Sequence, residues 1–162
     1  MSILTRAVKA VWEEINTPDT FRKGEDFQSY VRSYLFPKDK YTLLQRTHNY
    51  VENKDDFIDS TKEPDFKFKS ASGRTFFLEA KYRSKYFNGA IEWCKPYQLS
   101  RYREIDKHTP ILVVIGIGLQ PNNPAKLFLM PLKDIKYIKL FQSFLRTYEV
   151  PTKKYICENQ LT

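Results

Sequence analysis

The spacing of apolar residues along the chain predicts helices first and strands later. From Ser2 to Ile15, apolar residues recur every three or four positions, as is typical of an amphipathic helix. The stretch Thr17-Pro18-Asp19 is expected to break it. A second helix is predicted from about Lys23 to Leu35, and Pro37 is expected to stop it. Its apolar stripe consists of Phe27, Tyr30, Val31, Tyr34 and Leu35.

An alternating pattern in the middle of the chain predicts a β-hairpin. Tyr41 to Arg46 is a candidate first strand, and the polar stretch from Val51 to Glu63 is predicted to be a loop. Then Phe66, Phe68 and Ser70 alternate with two lysines. Ser72-Gly73 is expected to turn the chain. The return strand, Arg74 to Arg83, is rich in Phe and Tyr.

The second half of the chain predicts a buried strand between helices. Residues 84–95 have no clear period and are expected to form an irregular connection. The predicted elements that follow are a helix from Pro96 to about His108, a fully apolar strand over Ile111–Ile117, a short strand over Lys126–Met130 and a closing helix over Asp134–Tyr148. This order predicts one α/β domain over residues 1–162, with a mixed sheet flanked by helices.

Composition limits the classes of partner. Lysine and arginine number 27 and the acids 19, which gives a net charge of +8. This surplus favours nucleic acid as a partner, ahead of an anionic membrane surface. The pattern lacks a signal peptide or a membrane span, so a reduced, cytoplasmic protein is the simplest expectation. Cys94 and Cys157 lack CxxC spacing, which argues against zinc, although a single disulfide is compatible with the sequence.

The hairpin carries the candidate chemistry. Glu79 and Lys81 are two residues apart on a predicted strand, so both project from the same face. Asp65 follows Pro64 on the partner strand, and the turn is expected to place it beside Glu79. Two adjacent carboxylates repel each other unless a cation lies between them, and hard oxygen ligands suit Mg²⁺. A lysine beside them can position water and stabilise charge on a phosphoryl group.

By itself, Glu-x-Lys on a strand is a weak signal, because a surface ion pair has the same pattern. Three features favour a functional site: the upstream Asp65 after a proline, the predicted hairpin, and the apolar flanks Phe76, Phe77 and Leu78. We therefore expect Asp65, Glu79 and Lys81 to form a metal-dependent nuclease site.

The segment PDFKFKSASGRTFFLEAKYR resembles the core of the PD-(D/E)XK nuclease superfamily, which has the restriction-endonuclease-like fold. Upstream, KGEDFQSYVRSYLF is similar to the first core helix of that family. Downstream, PYQLSRY is similar to the helix that supplies a glutamine in Mrr-type and Holliday-junction-resolvase-like branches. The resemblance covers about residues 23–135. It implies a core of αβββαβ order and Mg²⁺-dependent phosphodiester hydrolysis, usually of DNA, with Mn²⁺ as a substitute.

The resemblance also implies roles for particular residues. Asp65, Glu79 and Ala80 are expected at the metal, with Lys81 and Gln98 as further catalytic residues. The family commonly has a glutamate on its first helix where this chain has Gln28. Glu25 lies three residues earlier on the same helical face, so it is the candidate replacement. A helix N-terminal acid favoured by the helix dipole is an equally good account of Glu25.

Basic residues near the hairpin are candidate nucleic-acid contacts. Arg83, Lys85 and Arg101 are the main ones, and aromatic residues lie among them. Solvated surface charge is the competing interpretation. DNA is the expected partner and RNA stays open. A non-catalytic binding module of the same fold, or a nuclease that needs a partner protein or a second copy, is also compatible with the sequence.

Overall fold

A computed structural model describes residues 2–8, 19–47 and 63–162. The strands are β1 (Tyr41–Arg46), β2 (Phe66–Ser70), β3 (Thr75–Arg83), β4 (Ala90–Glu92), β5 (Ile111–Ile117), β6 (Lys126–Pro131), β7 (Lys139–Phe141) and β8 (Glu149–Val150). The helices are α1 (residues 3–8), α2 (Asp19–Tyr30), α3 (Pro96–Asp106) and α4 (Gln142–Arg146).

The main sheet has six strands in the order β1-β2-β3-β5-β6-β8. Strands β3 and β5 are parallel, and every other neighbouring pair in this sheet is antiparallel. The parallel pair requires a crossover, and α3 lies within it. The predicted mixed sheet with flanking helices is confirmed, and so is the hairpin turn at Gly73, where φ is 93°.

One face of the sheet packs against α2 and the π-helical turn that continues it, Val31–Leu35. Every second residue of β3 and β5 faces them, because successive side chains of a strand project to opposite faces of the sheet. This first core consists largely of Phe27, Tyr30, Val31, Leu35, Phe66, Phe68, Leu78, Ala80, Leu112 and Val114. The second helix was therefore predicted correctly, except that it begins at Asp19, earlier than expected.

The opposite face packs against α3 and the C-terminal segments. Leu99 and Tyr102 of α3 lie in this second core with Phe77, Trp93, Val113 and Ile115. All seven residues of β5 are buried, as its apolar sequence predicted, because this strand contributes side chains to both cores.

The prediction of a closing helix over Asp134–Tyr148 is wrong. Only Gln142–Arg146 is α-helical, after a 3-10 turn at Leu132–Asp134 and the extended strand β7. Strand β7 pairs with β4, which lies in the connection that was predicted to be irregular. The Trp93 indole also donates a hydrogen bond to the Tyr137 carbonyl at 3.0 Å. These long-range hydrogen bonds outweigh the helical spacing of the apolar residues.

The C-terminal tail completes the first core. Ile156 and Leu161 are buried there, and the Ile156 amide donates to the Leu35 carbonyl. Residues 3–8 are helical and exposed, whereas the rest of the predicted first helix and most of the predicted loop lie outside the described residues. Both cysteines are free, and none of the described helices is long and apolar enough to cross a membrane.

Candidate active site

The hairpin register brings Asp65 next to Glu79. Phe66 pairs with Leu78 across the antiparallel β2–β3 ladder. Asp65, one residue before Phe66, therefore lies opposite Glu79, one residue after Leu78. The Asp65 amide donates a hydrogen bond to Glu79 Oε2 at 3.1 Å. In turn, Asp65 Oδ2 accepts from the Ala80 amide at 2.9 Å. Backbone geometry therefore fixes the positions of both carboxylates.

Lys81 completes the charged cluster on the same face of β3. Its Nζ lies 2.8 Å from Glu79 Oε1, and the two side chains are 21% and 3% exposed, respectively. Such burial leaves an ion pair poorly screened, so removal of either partner is costly. The pair lies where the second core ends, beyond the apolar Phe77.

The site places two carboxyl groups beside one ammonium group. Burial raises the pKa of Asp65, and the charge of Glu79 raises it further, although Lys81 and the Ala80 amide act in the opposite direction. For Lys81, burial alone would lower the pKa, but the charges of Glu79 and Asp65 outweigh burial and raise it. A further cation near Asp65 would stabilise its ionised form.

These residues line a cleft of about 310 Å³. The side chains around it come from α2, the hairpin and α3. Among the predicted site residues, the lining includes Glu25, Asp65, Glu79, Ala80, Lys81, Arg83 and Gln98. The structure therefore brings together all five predicted catalytic residues. Lys85 and Arg101 are not part of this lining.

Gln28 contacts the cluster directly. Its amide Nε2 donates to Asp65 Oδ1 at 3.1 Å. Glu25 lines the same cleft one helical turn away. Gln28 therefore occupies a position beside Asp65 where an acidic side chain would add a third negative charge. An amide there adds none and orients the carboxylate instead.

Tyr102, four residues after Gln98 on α3, is a site residue that the sequence pattern did not predict. It is almost fully buried, lines the cleft and forms a side-chain hydrogen bond with Glu79. Burial raises the pKa of its hydroxyl, and the charges of Glu79 and Asp65 raise it further. Tyr102 therefore acts as a neutral donor. The four-residue spacing from Gln98 was the available signal, but a core tyrosine has the same spacing.

Gln98 has a structural hydrogen bond as well as a place in the cleft. Its Oε1 accepts from the Lys95 amide at 3.0 Å, which caps the start of α3. Its Nε2 carries the remaining donors of that side chain.

The predicted nucleic-acid contacts have different environments. The Arg83 guanidinium donates to the carbonyls of Tyr82 and Glu92, each at 2.8 Å, so it ties β3 to β4. Lys85 is exposed beyond the end of β3. The Arg101 guanidinium lies 5.7 Å from the centre of the exposed Tyr97 ring on α3. Only Arg83 lines the cleft.

The donor set fits Mg²⁺. Asp65 uses two of about four lone-pair directions and Glu79 uses three, so each carboxylate has room for a metal contact. Within residues 2–8, 19–47 and 63–162, no group of three His, Cys, Asp or Glu side chains could hold an ion. Mg²⁺ tolerates this, because it commonly binds one or two carboxylates and keeps several waters.

No protein-family model matches the chain, and no curated protein matches its sequence. Among solved structures, it is similar to Hjc, a Holliday junction resolvase from the archaeal hyperthermophile Archaeoglobus fulgidus. The TM-score is 0.56 at 12% identity, over 83% of this chain and 99% of the resolvase. At this identity the similarity shows a shared fold.

Proposed function

We propose that this protein is a divalent-metal-dependent nuclease of the PD-(D/E)XK type that hydrolyses phosphodiester bonds in DNA. The observation that carries the proposal is the convergence of Asp65, Glu79 and Lys81 in one cleft, with both carboxylates hydrogen-bonded through the hairpin backbone. The net charge of +8 supports a polyanionic substrate. The resolvase fold supports the same class.

In this proposal Asp65 and Glu79 hold Mg²⁺, and Ala80 is the third member of the metal site. When bound, the ion supplies Lewis acidity toward the phosphoryl group and lowers the pKa of water. Mn²⁺ is expected to substitute for it.

The remaining tasks belong to the chain itself. Lys81 presents its ammonium group to the cleft, where it orients the attacking water and stabilises negative charge that develops on the phosphoryl oxygens. Tyr102 and the Asp65 amide hold the Glu79 carboxylate in place, and Gln28 does the same for Asp65. These contacts preorganise the site before the substrate arrives, which reduces the cost of reorganisation during the reaction.

One observation favours a second candidate, a non-catalytic nucleic-acid-binding module of the same fold. Gln28 stands beside Asp65 where an acid would strengthen metal binding, and the described residues hold no three-ligand cluster. Such a module would bind nucleic acid in a salt-dependent manner without turnover.

A cleavage panel tests the proposal. The full chain is incubated with Mg²⁺, Mn²⁺ or EDTA and with linear duplex, supercoiled, single-stranded and branched DNA, and with RNA. We expect metal-dependent cleavage of DNA. Asp65→Ala, Glu79→Ala and Lys81→Ala should each reduce it by at least about 10²-fold.

The matched control is Glu104→Gln, because Glu104 is an exposed acid on α3 that pairs with Lys107. It should leave cleavage unchanged, and circular dichroism should show that all variants are folded. Binding without cleavage under every condition would favour the non-catalytic module. If cleavage appears only after a second protein is added, the chain is a partner-dependent nuclease.

A further inference from the structure

A small second sheet lies beyond the end of β3. It consists of β4 and β7, with Ala90 paired to Phe141 and Glu92 to Lys139. The chain reaches β4 through a tight turn in which Asn88 and Gly89 have positive φ, and Phe87 forms a bridge with Ala90. Phe87, Ala90 and Phe141 therefore form one row across three adjacent segments.

This row places two exposed aromatic rings on either side of a small residue. Directly paired residues project from the same face of a sheet. Phe87 is 77% exposed and Phe141 51%, whereas Ala90 between them is buried. With segments about 4.8 Å apart, the outer two positions are roughly 10 Å apart. Ala90 is only 1% exposed, so no open gap lies over it, and a flat aromatic group would stack on the exposed surface of either ring.

Positive charge surrounds the row. A groove of about 420 Å³ beside Phe87 and Ala90 is lined by Arg83, Lys85 and Lys139. Its acid, Glu92, lies 3.5 Å from Lys95. The Lys139 ammonium also lies 5.3 Å from the centre of the Phe141 ring. A ligand that combines flat rings with negative charge matches these features.

The groove adjoins the candidate active site. Arg83 lines both the cleft that holds Asp65, Glu79 and Lys81 and the groove that holds Phe87. The hydrogen bonds from its guanidinium to the Glu92 carbonyl keep β4 next to the end of β3. A polymer whose phosphate lies at the cleft can therefore extend past Arg83 to the aromatic row.

We propose that Phe87 and Phe141 hold an unpaired nucleobase of the DNA strand that the cleft cuts, so that the substrate contains a single-stranded segment beside the scissile phosphate. This proposal rests on the proposed function and specifies its substrate class. Lys85 and Lys139 would contact the phosphates of the same segment.

The exposed rings favour single-stranded over fully paired DNA. In a duplex the faces of the bases are covered by their neighbours, so a protein ring has only phosphates and groove edges to contact. An unpaired base offers both faces, and stacking on an aromatic side chain is favourable for every base. Two exposed rings gain little from a phosphate backbone but much from an unstacked base.

The test measures binding without cleavage. Fluorescence anisotropy in EDTA follows the full chain with a labelled oligothymidylate and, separately, with a labelled duplex of equal length. We expect Phe87→Ala and Phe141→Ala each to weaken single-strand binding about 5- to 100-fold and to change duplex binding less than about 2-fold. Phe87→Tyr and Phe141→Tyr should retain binding, because the ring persists. Lys85→Ala should lower the salt slope by about 1.

The matched control is Tyr155→Ala. Tyr155 is also an exposed aromatic residue with a lysine, Lys40, 5.3 Å from its ring centre, but it lies near the start of β1, away from Arg83. It should bind single strands like the wild type.

Three outcomes would overturn the proposal. They are unchanged single-strand binding in both alanine variants, equal loss of duplex binding, and a dimer in sedimentation that the alanine variants dissociate. Because the assay needs no metal, a failed cleavage panel with retained stacking would refute the nuclease and leave the aromatic row as a single-strand site.

Discussion

Strand β3 presents chemically different faces to the two helices that cover the sheet. Toward α2 it presents Leu78 and Ala80, which lie in an apolar core. Toward α3 it presents Phe77, then Glu79 and Lys81. Glu79 is only 2% exposed, so both faces are buried, but one contains hydrocarbon and the other contains charge. One face therefore stabilises the fold, whereas the other holds buried charged groups that can bind a ligand.

The largest expected effect on stability is on the α2 face. Leu78 is fully buried, so Leu78→Ala should lower the free energy of unfolding by about 2–5 kcal/mol through lost burial and a cavity. Urea denaturation measures the loss, and cleavage per folded molecule should persist. Leu44→Ala on β1, where Leu44 is half exposed, should change stability by less than about 0.5 kcal/mol. Equal effects at the two leucines would contradict the assignment of the core.

The charged face should respond to the removal of one partner more than to the removal of both. Lys81→Met leaves the buried Glu79 carboxylate without its cation, so we expect a loss of about 3 kcal/mol. Adding Glu79→Gln to the same chain should recover most of that loss, because the uncompensated charge disappears. A double-mutant cycle by urea denaturation measures the coupling. Simple additivity of the two changes would contradict a buried ion pair.

The close approach of α2 to the sheet provides a third comparison. A Cβ at Gly116 would lie 2.4 Å from the ring of the buried Phe27, so Gly116→Ala should cost about 1–3 kcal/mol. Gly24, on the same helix as Phe27, has no atom within 4 Å of such a Cβ. Gly24→Ala should therefore leave stability unchanged or raise it by up to about 1 kcal/mol. Thermal unfolding distinguishes the two, and a tolerated Gly116→Ala would show that the helix can move away.

The smallest expected effect is at Tyr102, where the two kinds of environment meet. Tyr102→Phe keeps the ring in the second core and removes the hydrogen bond to Glu79, which should cost about 1 kcal/mol. It should also weaken the stabilisation of the protein by Mg²⁺, measured as the rise in melting temperature. Tyr97→Phe, at an exposed tyrosine on the same helix, is the control. Identical behaviour of the two variants would remove Tyr102 from the site.

Much of this architecture follows from local patterns. β2 and β5 lie where alternation or continuous apolar character predicted them, because those strands bury one or both faces and their sequences show it. The meeting of Asp65 and Glu79 follows from the hairpin turn. Local patterns failed where pairing is long-range. Ile135, Ile138 and Phe141 have helical spacing, but their segment bonds to β4 and Trp93, about 45 residues earlier in the chain.

The sequence by itself determined the hairpin, the face that Glu79 and Lys81 share, and the basic charge, because these depend on strand alternation and composition. Only the tertiary structure decided that Gln28 and Tyr102 hold the two carboxylates, that Gln98 caps its own helix, and that Phe87 and Phe141 flank Ala90. Each of these contacts either joins two segments of the chain or depends on which of several partners a side chain meets. A local sequence pattern predicts neither. Their outcome depends on which surfaces the packed sheet brings together.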